Sequence, residues 1–141
     1  MSDLLRPQTR FMPSDSPATR RWLEDIRHHI DVAKQFVAAL SYEEFRVDML
    51  RLYAVTRCLE IISEASRRLP DEIKARHPSI AWKDMAGAGN IYRHEYSDVT
   101  ALRVWRTLQL ALPPLRAVIE RELSALDGPP DQPLKPPCPP P

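Results

Sequence analysis

Glycine is scarce in this sequence, with three residues among 141, and cysteine scarcer still, with two. So few cysteines exclude a disulfide framework. Cys58 falls in an apolar helical pattern and Cys138 in a proline-rich tail, as expected of a cytoplasmic protein with reduced thiols. No run of 18 apolar residues is present, which excludes a membrane span. The N-terminus lacks an apolar stretch behind a basic start, so no signal peptide is expected. Charge of neither sign dominates: 20 Lys and Arg stand against 19 Asp and Glu. That excludes the global positive field that drives nonspecific binding to long nucleic acid, while leaving room for a local basic site. Metal-ligand spacings such as CxxC or HExxH are missing, as are a phosphate loop and a GxSxG elbow, so neither metal nor cofactor is expected. Strand signals are also missing, with no alternating β-branched run.

Proline is abundant by contrast, with 15 residues, and unevenly placed. Pro7, Pro13 and Pro17 crowd the first 20 positions, and eight more fill the last 13. Residues 1–17 and 128–141 are therefore expected to be flexible tails around one domain of residues 18–127, long enough for a core. Within it, Trp22, Ile26, Ile30, Ala33, Val37 and Leu40 recur at steps of three and four, which predicts a helix over 18–40 with His29 at the core edge. Ser41 and Glu44 form a capping-box pattern. A second stripe runs from Phe45 through Met49, Leu52, Thr56, Leu59 and Ile62 to Leu69, predicting one continuous helix of about 40 Å.

Pro70 and Pro78 end that helix, with room for a short helical piece over 71–76. A third long helix is predicted from 80–82 to about 95. Gly87 and Gly89 in its middle each cost about 1 kcal/mol relative to alanine, which suggests a packing contact at Gly87. The last stripe, Ala101, Trp105, Leu108, Leu112, Leu115, Ile119, Leu123 and Leu126, is predicted to start at Thr100 as N-cap and to kink or break at Pro113-Pro114. Gly128 is the expected stop. The fold class is all-α, an antiparallel bundle of four or five helices.

The densest polar cluster is Gly89-Asn90-Ile91-Tyr92-Arg93-His94-Glu95-Tyr96. Asn90 and His94 share a helix face at i, i+4, and Gly89 and Arg93 share the neighbouring one. His94 titrates near neutrality and can act as general acid or base, Arg93 offers a planar fork for phosphate, and Tyr96 a hydroxyl. These groups suit phosphoryl chemistry without a metal. The same residues also fit a solvated pair of cations at a helix C-terminus. Glu64 and Arg57 on the second helix are candidates to support such a site from behind. His28-His29 point apart and make poor joint ligands, and Trp82 and Trp105 lie on apolar stripes as core residues.

Cys58-Leu59-Glu60-Ile61-Ile62-Ser63-Glu64-Ala65-Ser66-Arg67-Arg68-Leu69, then Ile80-Ala81-Trp82-Lys83-Asp84-Met85-Ala86-Gly87, then Asn90 and His94-Glu95-Tyr96, then Val104-Trp105 and Leu112-Pro113-Pro114-Leu115 follow one another in order. Over about Trp22 to Leu126 this resembles the HepT-like branch of the HEPN superfamily. The resemblance implies an all-α homodimer that is the toxin partner of a minimal nucleotidyltransferase antitoxin. It implies a metal-independent endoribonuclease that cleaves RNA by attack of its 2′-hydroxyl. The family motif, Arg-Asn-x-x-x-His-x-Tyr, is matched by Asn90, His94 and Tyr96, while Gly89 stands at the arginine position. By resemblance His94 transfers protons, Asn90 orients, and Tyr96 is an auxiliary or the acceptor of a nucleotidyl group. Two readings follow for the missing arginine: Arg93 supplies the guanidinium, or the protein is a silent relative that binds nucleotide or the nucleotidyltransferase.

Overall fold

The computed structural model describes residues 14–91 and 98–128, the side chains of residues 89–91 and 98 excepted. Among the described residues all regular structure is helical: α1 (Pro17–Val37), α2 (Tyr42–Arg46), α3 (Met49–Arg68), α4 (Asp71–Arg76), α5 (Trp82–Ile91), α6 (Asp98–Arg106), a π-helical segment (Thr107–Ala111) and α7 (Leu112–Leu126). None of these helices is long and apolar enough to cross a membrane.

α1 begins where Ser16 accepts the Thr19 N–H at 3.1 Å, with Pro17 in the first turn, where its missing donor costs nothing. Its buried face, Leu23, Ile26, Ile30, Ala33 and Val37, packs on α3 and α7. His29 is half-buried and its Nδ1 lies 2.7 Å from the Asp25 carbonyl. Trp22 is displaced from the stripe and only half-buried, because Leu23 takes the inward position.

The continuous second helix does not form; α2 and α3 divide it. Asp48 is responsible, since its carboxylate takes the Arg51 N–H at 3.0 Å and the Arg51 guanidinium at 2.6 Å, which caps a new helix. Ser41 caps α2 as expected by accepting the Glu44 N–H, although its hydroxyl also donates to the Glu44 carboxylate at 3.2 Å. The break turns Met49 outward, 60% exposed, beside Val47 and Leu50. Phe45 remains fully buried, with its ring 5.3 Å from that of Trp105. Phe45→Ala should therefore cost about 3–5 kcal/mol of stability, read as a lower urea midpoint; a loss below about 1 kcal/mol would contradict this packing.

Thr100 lies inside α6 and is buried rather than capping it. The kink expected at Pro113-Pro114 is absorbed one turn earlier. Neither proline can donate to the ladder, and the ladder widens ahead of them so that the Leu112 N–H bonds the Thr107 carbonyl five residues back. The apolar stripe thus continues unbroken through Leu108, Leu112, Leu115, Ile119 and Leu123. Gly128 ends α7 at φ 72°, and its N–H bonds the Ala125 carbonyl.

One buried carboxylate fixes the approach to α5. Glu122 of α7 accepts from Arg76 Nε at 3.0 Å and Nη2 at 2.8 Å, and lies 2.6 Å from His77 Nε2. The His77 carbonyl in turn accepts the Trp82 indole N–H at 3.0 Å, which ties the first residue of α5 to that cluster.

Candidate functional site

Met85 and Ala88 bury one face of α5 against α3. Two side chains of α3, Ser63 and Arg67, are four residues apart and so emerge on one face. Both donate to the same α5 atom: Ser63 Oγ lies 2.7 Å and Arg67 Nη1 2.8 Å from the Ala86 carbonyl oxygen. This pair sets α5 along α3. A Cβ added at Gly87 would meet nothing within 4 Å, so the expected packing contact at that glycine is not made.

Glu64 sits between two cations. Its Oε2 accepts from Arg67 Nε at 3.3 Å and Nη2 at 2.8 Å, and its Oε1 accepts from Arg68 Nε at 2.9 Å. Those hydrogen bonds, from Arg67 first and then Arg68, hold the Glu64 carboxyl below the usual carboxylate range, so it stays an anion near neutrality. Arg68 lies over the Trp22 ring, 5.1 Å from its centroid. Arg57 pairs instead with Glu60 at 3.1 Å, one turn away, so the two supporting candidates are not in one ion pair. They line one open groove of about 290 Å³ between α1 and α3, together with Trp22, Asp25, Glu60 and Arg67. The Trp22 indole nitrogen, buried in that wall, has no hydrogen-bond partner among the described residues.

Asn90 is in the last turn of α5, with its side chain outside the described residues, and Arg93, His94 and Tyr96 lie outside them altogether. Among the described residues no group of three or more His, Cys, Asp or Glu side chains could hold a metal ion. Cys58 is buried, and burial raises its thiol pKa, which keeps it protonated and inert. Sequence reasoning did not single out Ser63 and took Arg67 only as one of the solvent-facing charges along its helix. Their i, i+4 spacing was visible, but their partner is a backbone oxygen, which leaves no mark in a sequence.

Residues 26–122 match the family described as "Ribonuclease HepT-like". A protein of Thermococcus cleftensis named "Probable ribonuclease HepT" is 35% identical over 71% of this chain and 91% of its own length. One from Methanocaldococcus jannaschii bearing the name "Putative RNase" is 33% identical over 77% of this chain and 90% of its own. Another so named from Caldanaerobacter subterraneus is 33% identical over 74% and 93%. No solved structure matches. The chain belongs to the ribonuclease HepT-like family, in the HEPN superfamily.

Proposed function

We propose that this HepT-like chain is a metal-independent endoribonuclease, the toxin of a toxin–antitoxin pair, acting as a homodimer whose two α5 helices line a shared cleft. The observation that carries it is the run Asn90-x-x-x-His94-x-Tyr96, which opens on the helix that Ser63 and Arg67 anchor. In this reading His94 takes the proton of an RNA 2′-hydroxyl. The 2′-oxygen then bonds to phosphorus, the bond to the 5′-oxygen breaks, and a proton returns to that oxygen. A 2′,3′-cyclic phosphate and a 5′-hydroxyl result, with no net redox change. Arg93 clamps the phosphate, Asn90 orients it, and Tyr96 is the auxiliary hydroxyl. Glu64 and Arg57 support the site from α3. Residues 18–127 form the functional domain, with tails on either side.

A minimal nucleotidyltransferase is the proposed antitoxin, with Tyr96 as acceptor of the nucleotidyl group. Gly89 at the motif arginine favours one alternative, a silent relative that binds nucleotide or that partner without cleaving. Purified chain incubated with single-stranded RNA and EDTA separates the two. The ribonuclease reading expects fragments ending in 2′,3′-cyclic phosphate. Intact RNA, together with co-purification of a nucleotidyltransferase and an AMP-sized mass increment on Tyr96, would leave the silent relative standing.

A further inference from the structure

Five of the seven large apolar side chains that stand exposed among the described residues gather on one face: Phe36, Val47, Met49, Leu50 and Tyr53, with only Val99 and Leu110 elsewhere. Leu50 is 80% and Val47 71% exposed. The break between α2 and α3 creates this face. A helix running on from Phe45 would have turned Met49 into the core, but the cap at Asp48 restarts the chain with Met49 and Leu50 in solvent. Arg51 then fastens the face together. Its Nη1 holds the Asp48 carboxylate at 2.6 Å while its Nε donates to the Phe36 carbonyl at 2.9 Å, which joins the end of α1 to the start of α3. The apolar surface is thus preorganised, and covering it costs little ordering.

Its chemistry suits a second copy of this chain. At these exposures the five side chains offer on the order of 500 Å² of apolar surface, as large as the biggest apolar patch of a typical monomer. That matches the apolar share, about 65%, of the ~800 Å² that each partner of a stable homodimer buries, the remainder being polar rim. Every charged side chain from Arg46 to Arg51 already has its counter-ion: Arg46 pairs with Glu43 at 3.0 Å, and Arg51 with Asp48. The face can therefore be covered without burying an unpaired charge. These pairs carry no net charge, so two copies do not repel, whereas a two-fold axis would set a charged face against its own charge. Leu50, the most exposed of the five, has Val47 three residues before it and Tyr53 three after, which makes it the centre of the face along the chain.

We propose that this face is where two copies of the chain meet. They pack across a two-fold axis beside Leu50, each burying Phe36, Val47, Met49, Leu50 and Tyr53 against the other. This rests on the homodimer reading and assigns that dimer its surface, with Asp48 and Arg51 holding the surface in shape.

Sedimentation of the full-length chain at micromolar concentration should give the dimer mass for wild type. Leu50→Arg places a charge from each copy at the centre of the contact. It is expected to weaken association at least about 100-fold, leaving monomers with unchanged helical circular dichroism. Leu110→Arg, at an exposed leucine on the π-helical segment, should stay dimeric. Leu50→Cys, in a Cys138→Ser background, brings two thiols to the axis. With oxidised glutathione as electron acceptor they should join as a disulfide, giving a covalent dimer on a non-reducing gel that the background chain lacks. A Leu50→Arg chain as dimeric as wild type, or a Leu50→Cys chain that forms no cross-link, would overturn this surface and leave the homodimer reading standing. A wild-type chain that sediments as a monomer would overturn both.

Discussion

His94→Ala is expected to slow RNA cleavage by about 100–10,000-fold, the usual contribution of a positioned general acid or base. The loss should fall on kcat, because RNA affinity comes mainly from cation–phosphate contacts that alanine at 94 leaves in place. The pH dependence carries the sharper signature. Wild type should show a profile with at least one limb near neutrality, set by histidine ionisation, and His94→Ala should lose that limb. Single-turnover rates from pH 5 to 9 check this. An unchanged profile in the variant would remove His94 from proton transfer even if its rate were lower. Circular dichroism of the same sample separates chemistry from folding.

Glu122→Ala should cost about 3 kcal/mol of stability, because it removes the buried carboxylate that Arg76 and His77 share and leaves Arg76 only its exposed pairing with Glu72. The Glu122 side chain is only 9% exposed and that of His77 14%, so water reaches their end of the cluster poorly, whereas Arg76, 42% exposed, keeps its solvent. Hydrogen bonding from Arg76, and secondarily from His77, holds the Glu122 carboxyl below its ordinary value of 4.5 despite the opposing effect of burial. A depressed folded-state value means that its contribution is present above the unfolded value and is lost as pH falls through the folded one. Urea midpoints of wild type and Glu122→Gln should therefore lie furthest apart at neutral pH and draw together as pH falls below 4.5. A separation that does not narrow at all as pH falls below 4.5 would mean that the carboxylate charge is not the source.

These two residues show what kind of information a sequence carries. α1 and the run from Ala101 to Leu123 were legible because burial repeats there with the helical period, and Gly128 because a left-handed stop needs it. The division of α2 from α3 was hidden. Phe45 and Leu52 are seven residues apart and stay in phase whether or not the chain breaks, so the stripe masked the cap that Asp48 makes. Glu122 was illegible for the opposite reason. It stands next to Leu123 on a charged helix, and only the placement of Arg76 and His77 by α4 turns it inward. His94, Asn90 and Tyr96 are candidates through the order of the family motif alone, whereas the hold of Arg67 on the Ala86 carbonyl left no mark in the sequence.

The π-helical segment has a consequence for modularity. Pro113 and Pro114 bring no backbone donor, so the hydrogen-bond ladder of α6 cannot pass through them to α7 as one cooperative rod. α7 is fastened sideways instead, to α1, through the pairs Asp31–Arg116, Arg27–Glu120 and Arg20–Asp127, while α6 leans on α2 and α3. α6 and α7 thus rest on different neighbours across an unbroken helical outline. Opening events that loosen α6 need not propagate into α7, and the exposed turn around Leu110 is the natural junction for a circular permutation or an insertion.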